Sequence, residues 1–120
     1  MNPATRKLLE QILMFAKRTQ ERTRNVSLEA FLNDELLQDA VLYCLGQMGE
    51  TASRIPDEEQ DKYPEMFWNQ MISLRHRVFH RYEALNLSIV YGITQEAVAR
   101  LVESLERLLR LQALQRSDSK

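Results

Sequence analysis

The longest regular pattern of apolar residues lies between residues 34 and 54, and it constrains the fold more than any other feature. Its apolar side chains recur at intervals of three and four residues: Leu36, Leu37, Ala40, Val41, Cys44, Leu45, Met48 and Ala52. That interval matches the 3.6-residue turn of an α-helix, so the stretch is predicted to be a helix with one face in a core. Gly46 and Gly49 lie inside the pattern, where they indicate close packing of another backbone.

Three further stretches show the same period, and the chain has little material for strands. They span residues 4–22, 66–79 and 94–115. Only three glycines and three prolines occur in 120 residues, whereas good helix formers such as Leu, Glu, Arg and Gln are abundant. We therefore predict an all-α fold, an antiparallel helical bundle of four main helices plus short helical turns. Residues 1–115 would form its single domain, and residues 116–120 a frayed tail.

Polar residues at the ends of these stretches predict where helices begin and end. Ser27 is placed to cap a short helical turn. Pro56 follows the long apolar stretch and should end its helix at about residue 54, because the residue before a proline avoids helical dihedral angles. Gly92 is expected to end a short apolar turn that starts at residue 87, and Thr94 to cap the last helix.

The composition excludes several classes of protein. A net charge of −1 does not indicate nucleic-acid binding by the molecule as a whole. The single cysteine, Cys44, rules out a disulfide framework and a paired-cysteine metal site. The four carboxylates Asp34, Glu35, Asp39 and Glu50 lack the Glu-x-x-His pattern of a di-iron centre, and no glycine-rich phosphate loop occurs. We therefore expect neither a metal nor a cofactor. No apolar stretch approaches 18 residues and no signal peptide is evident, so a cytoplasmic protein without membrane contact is expected.

Residues 73–82 have an unusual charge pattern. They contain three arginines, both histidines of the chain and a tyrosine, but no acidic residue. Like charges on neighbouring helical turns repel, so the fold itself gains little from this clustering. A solvated basic face is the ordinary explanation of such a stretch, and a binding site for an anion is the alternative that we favour.

Arginine and histidine together suit phosphodiester chemistry. The guanidinium group of arginine is a planar fork for phosphate oxygens, and imidazole exchanges protons near neutral pH. His76 and His80, four residues apart, share one face of a helix. Arg75 and His80 are five residues apart, which separates them by about 140° around the helix axis, so on one helix they flank a face. Tyr82 adds a phenol that can bond a phosphate or stack on a base.

The spacing Arg75-x4-His80-x-Tyr82 resembles the Arg-x4-His-x-Tyr signature of the HEPN superfamily, and in particular its HepT-type toxins from toxin–antitoxin pairs. Residues 38–41 and 48–52 are similar to that family's second long helix. Residues 63–68 and 87–90 are similar to the segments before and after the signature. The position after the arginine, commonly Asn in the family, is His76 here, and the residues after Tyr82 lack the family's aromatic-Gly pair.

The resemblance implies a metal-independent RNA endonuclease that acts as the toxin of a type II toxin–antitoxin system. Arg75 would bind the scissile phosphate, and His80 would act as general acid or base when the neighbouring ribose 2′-hydroxyl attacks, leaving 2′,3′-cyclic phosphate ends. Further RNA contacts are expected from His76, Arg77, Arg81 and Tyr82. Members of the family form homodimers in which both signature helices line one cleft. DNA lacks the 2′-hydroxyl and would not be cut.

The resemblance also implies a protein partner. A minimal nucleotidyltransferase antitoxin would add AMP to Tyr82, and larger hetero-oligomers with that antitoxin are expected. The added group places negative charge and bulk where RNA phosphate must bind, and so inhibits the toxin. One alternative is a non-catalytic subunit that binds nucleotide or substrate for the nucleotidyltransferase, and this subunit would not need His80. Another is a purely structural helical dimer.

Overall fold

The computed structural model describes residues 1–80 and 84–118, and within these ranges it consists of helices and connecting turns without a strand. The helices are α1 (Pro3–Thr23), α2 (Leu28–Leu32), α3 (Glu35–Ser53), α4 (Asp57–Gln60), a 3₁₀ turn (Pro64–Met66), α5 (Trp68–His80), α6 (Leu87–Gln95) and α7 (Ala97–Asp118). This confirms the prediction of an all-α helical bundle. None of the described helices is both long and apolar enough to cross a bilayer.

Short polar side chains set the start of several helices. The Ser27 hydroxyl accepts a hydrogen bond from the backbone N–H of Ala30 at 3.1 Å, which confirms the predicted cap of α2. The Asp34 carboxylate accepts from the N–H of Leu37 at 3.0 Å and begins α3. Each bond satisfies a backbone donor that has no partner within its own helix.

Two expected helix boundaries were wrong. Gly92 does not end a turn but lies inside α6, whose first turn is capped by Asn86. Thr94 does not cap the last helix, since it lies in the last turn of α6, where its hydroxyl donates to the Tyr91 carbonyl at 2.7 Å. The final helix instead starts at Ala97 and continues to Asp118.

The helix expected from residue 66 starts two residues later. Phe67 adopts the left-handed conformation, with φ 55° and ψ 41°. This conformation is unusual for a bulky residue and cannot continue a right-handed helix. It therefore separates the 3₁₀ turn from α5 and fixes Trp68 as the first residue of the helix that carries the Arg-x4-His motif.

Helix α3 lies at the centre of the bundle and packs mainly against α1 and α5. The core contains buried apolar side chains from these three helices and from α6 and α7, among them Leu9, Ile12, Val41, Leu45, Met71, Leu74, Val90, Leu101 and Leu105. The two glycines of α3 face α5: a Cβ atom on Gly46 would meet the ring of Phe79 at 3.0 Å, and one on Gly49 would overlap the Met71 carbonyl and the Cβ atom of Arg75. The predicted close packing of another backbone is therefore confirmed.

Four hydrogen bonds from side chains to backbone carbonyls connect the end of α3 to the start of α5. The Gln60 side-chain amide donates to the carbonyls of Ala52 and Ile55, at 3.2 and 3.0 Å. The Trp68 indole N–H donates to the carbonyls of Gln60 and Tyr63, at 3.0 and 2.8 Å. Helix α5 is thus held at its N-terminus by Trp68 and along its length by the glycine face of α3.

Candidate active site

Arg75 lies where α5 crosses the glycine face of α3. Its side chain is half-buried, and its Nε–H donates to Oε2 of Glu50 on α3. The guanidinium carbon lies 5.6 Å from the centroid of the Phe79 ring. The two terminal guanidinium nitrogens make no hydrogen bond to any residue that the structure describes. Arg75 is therefore a cation held through Nε, and no described residue occupies its terminal fork.

His76 and His80 lie together on the exposed side of α5. Their ring centroids are 4.7 Å apart, and the ring planes are inclined by 46°. This confirms that the two imidazoles share one face of the helix. Both imidazoles are exposed, so solvent and large ligands can reach them.

Arg75 and His80 belong to one continuous helix, and the angle of about 140° between their directions therefore applies. Arg75 projects toward the edge of α5 that meets α3, whereas the two imidazoles project toward solvent. A ligand that touches both groups must wrap around the C-terminal half of α5, or meet groups from a second copy of the chain.

Glu50 and Arg54 are site residues that the sequence reasoning missed. The Glu50 carboxylate bonds Arg75 through Oε2, and its Oε1 lies 3.8 Å from a terminal nitrogen of Arg54. In the sequence Glu50 was weighed only as a metal ligand. The adjacent Gly49 could have indicated this role in the sequence. A glycine lets a second helix pack closely, and the residue next to it then lies beside that second helix.

Arg77 is not brought to the same place as Arg75. Two residues apart on a helix, their side chains diverge by about 160°. Arg77 borders an apolar cavity of about 230 Å³ between α3, α5, α6 and α7, together with residues such as Leu45, Met71 and Leu101. The predicted RNA contact of Arg77 would thus lie on the other edge of α5.

We expect Arg77→Ala to weaken RNA binding much less than Arg75→Ala, by about threefold or less at 0.1 M salt. The reason is that an exposed arginine contributes only a screened, non-specific attraction to phosphate. Fluorescence anisotropy with a labelled RNA, in a His80→Ala background that prevents turnover, measures both affinities. Equal losses in the two variants would show that RNA contacts both edges of the helix.

Arg81 and Tyr82, the remaining predicted site residues, lie outside the described residues. Among the described residues, no group of three or more His, Cys, Asp or Glu side chains is arranged to hold a metal ion.

Comparison with known proteins finds similarity to proteins that are named as ribonucleases. A family model described as "Ribonuclease HepT-like" matches residues 12–108. The chain is 29% identical over 105 residues to "Putative RNase MJ0127" of Methanocaldococcus jannaschii, covering 88% of this chain and 87% of the relative. It is also 29% identical over 100 residues to "Probable ribonuclease HepT" of Thermococcus cleftensis, covering 83% and 91%. No solved structure matches the chain.

Proposed function

Because the chain belongs to the HepT-like ribonuclease family, we propose that it is a metal-independent RNA endonuclease, the toxin of a type II toxin–antitoxin pair. The observation that carries the proposal is the arrangement on α5: a guanidinium fixed by Glu50 with its terminal nitrogens available, and two imidazoles on the adjoining exposed face. Curated relatives with ribonuclease names, which align with most of this chain, support it.

The proposed reaction needs one cation and one proton-transfer group. The terminal nitrogens of Arg75 bind two oxygens of the scissile phosphate and stabilise the charge that grows on them as the 2′-oxygen attacks. His80 accepts the 2′-hydroxyl proton or donates a proton to the leaving 5′-oxygen, and solvent water carries out the other of these two proton transfers. The bond from phosphorus to the 5′-oxygen breaks, and the 2′-oxygen takes its place in a cyclic phosphate. His76, whose ring lies beside that of His80 on the same exposed face, contacts a neighbouring phosphate.

We infer that the active form is a homodimer built on the exposed stripe of α3. Leu36, Tyr43 and Glu50 are spaced by seven residues and therefore lie on one side of that helix. Leu36 and Tyr43 are 84% and 59% exposed, and Phe79 on α5, which packs over Gly46 of α3, is 48% exposed. The stripe leads directly to Arg75, so an interface along it would bring two copies of α5 to one cleft.

Changing Leu36 to glutamate is expected to convert the dimer to a monomer without unfolding it, since this side chain contributes almost nothing to the core. Light scattering after size exclusion measures the mass, and circular dichroism reports the helical content. Ile89→Glu is the matched control, because Ile89 is 60% exposed on α6 and away from the stripe. A Leu36→Glu protein that keeps the wild-type mass would place the interface elsewhere.

We further propose that the antitoxin is a nucleotidyltransferase that attaches AMP to the phenol of Tyr82, and that larger hetero-oligomers form with it. Support comes from the position of Tyr82 two residues after His80, as in the family signature. Mass spectrometry of the protein incubated with such an enzyme and ATP should show a single AMP adduct that Tyr82→Phe removes. An adduct that persists in Tyr82→Phe would assign the modification to another residue.

RNA cleavage by the purified protein in EDTA tests the function itself. The proposal expects the wild type to cut RNA under chelation, leaving cyclic phosphate ends, and Arg75→Ala to be inactive. Equal cutting by wild type and Arg75→Ala would indicate a contaminating nuclease. If unmodified wild type binds RNA without cutting it while Tyr82 accepts AMP, the chain is instead a non-catalytic partner subunit of the nucleotidyltransferase.

A further inference from the structure

The Glu50–Arg75 ion pair joins two helices at the candidate active site. The two residues are 25 positions apart, and the contact exists because Gly49 allows α5 to lie directly on α3. Both side chains are about one-third exposed or less, at 33% for Arg75 and 27% for Glu50. The Arg6–Glu10 and Lys17–Glu106 pairs, in contrast, each include a side chain that is more than half exposed.

Glu50 is hydrogen-bonded to Nε of Arg75, and this limits the ways in which Arg75 can bind a phosphate. A guanidinium has two forks for an anion, one formed by Nε and a terminal nitrogen and the other by the two terminal nitrogens. Oε2 of Glu50 accepts from Nε–H, which occupies the first fork. The plane of the guanidinium is then fixed, and only the fork of the two terminal nitrogens is left for phosphate oxygens.

We infer that Glu50 is the positioning residue of the RNA-cleaving site: its carboxylate holds the Arg75 guanidinium by Nε so that the terminal fork meets the scissile phosphate. This inference rests on the proposed nuclease function. Glu50 does not touch RNA in this account. A carboxylate beside a phosphate opposes RNA binding by its charge, and Arg54, 3.8 Å from its other oxygen, partly offsets that charge.

The glutamine and alanine variants of Glu50 distinguish the effect of its hydrogen bond to Arg75 from the effect of its negative charge. Glu50→Gln keeps an oxygen that can accept from Nε–H but removes the negative charge. Glu50→Ala removes both and frees the guanidinium to rotate. We expect Glu50→Ala to lower kcat by at least tenfold with KM changed by less than threefold, because a small misplacement of a charge-stabilising group lowers the rate steeply. Glu50→Gln should stay within threefold of wild-type kcat, with an equal or lower KM.

Glu106→Ala is the control variant. Glu106 pairs with Lys17 across α7 and α1 at 3.4 Å, so this change removes an exposed carboxylate from an interhelical ion pair outside the site. Its kcat and KM should equal those of wild type. Thermal melts of all variants confirm that the rates belong to folded protein.

Two results would overturn the inference: Glu50→Ala with wild-type kcat, or Glu50→Gln as slow as Glu50→Ala. A second readout does not depend on nuclease activity. The arginine Nε–H signal that Arg75→Lys removes from the NMR spectrum should exchange slowly with water in wild type and Glu50→Gln, and rapidly in Glu50→Ala. If the Arg75 Nε–H proton exchanges slowly but the protein cuts no RNA, the nuclease function is rejected while the Glu50–Arg75 contact is retained. If this proton exchanges rapidly in wild type, the contact itself is rejected.

Discussion

Changing His80 to alanine is expected to lower the rate of RNA cleavage by roughly 10²–10⁴, the usual contribution of a general acid or base. His80 lies on α5, and its side chain is on the exposed side of that helix. The alanine variant should fold normally and bind RNA with nearly wild-type affinity, since Arg75 and its partner Glu50 are unchanged. Single-turnover cleavage of a labelled RNA separates the chemical rate from binding.

His76→Ala is the matched control for this change. It removes the neighbouring imidazole, whose centroid is 4.7 Å from that of His80, from the same helix at similar exposure. We expect a loss of about tenfold or less, mostly in RNA affinity. If His76→Ala lowered the rate of RNA cleavage more than His80→Ala, His76 would be the residue that transfers the proton.

Changing Gly49 to alanine is expected to lower the free energy of unfolding by about 1–3 kcal/mol, the usual cost of overpacking a core. The added Cβ atom would overlap the Met71 carbonyl and the Cβ atom of Arg75. Neither atom can move by a change of rotamer, so α3 and α5 must separate. At about 3–5 °C for each kcal/mol in a domain of this size, the melting temperature should fall by several degrees.

The same change should lower RNA cleavage even at temperatures where the protein is folded, because separating the helices lengthens the Glu50–Arg75 contact. Gly92→Ala is the control: among the described residues, no atom outside the adjacent helix backbone and the two neighbouring residues lies within 4 Å of its added Cβ. Replacing a helical glycine by alanine there should leave stability unchanged or raise it by up to about 1 kcal/mol. If Gly49→Ala melted like Gly92→Ala, the two helices could not lie as close as the structure places them.

The sequence was sufficient for those parts of the fold that depend on local pattern. Apolar periodicity predicted α3, and Ser27 predicted the cap of α2, because both signals act within a few residues. Gly92 was misread as a helix end because its cost of about 1 kcal/mol is outweighed by contacts of α6 with α7, which no local pattern reveals. The left-handed conformation of Phe67 was also unpredictable, since a bulky aromatic residue rarely adopts it.

The candidate site likewise has features that local sequence predicts and features that it does not. The shared face of His76 and His80 follows from helical spacing alone, and the structure confirms it. The contact between Glu50 and Arg75 depends on the register at which α3 and α5 cross. That register is set by Gly46, Gly49 and the side chains they meet. The sequence marks the glycines as contact points but does not say which residues of α5 they meet. Tyr82 and Arg81 lie outside the described residues and stay predictions.

If Arg75 and His80 cleave RNA through its own 2′-hydroxyl group, removing one oxygen atom from the substrate should stop the reaction. Once the cleavage position in a short RNA is mapped, the same RNA is made with one 2′-deoxyribose on the 5′ side of the scissile phosphate. The account predicts that cleavage in EDTA stops at that bond, while binding and cleavage at other susceptible bonds are unchanged. Undiminished cleavage at the modified bond would contradict it, since the nucleophile would then have to be water.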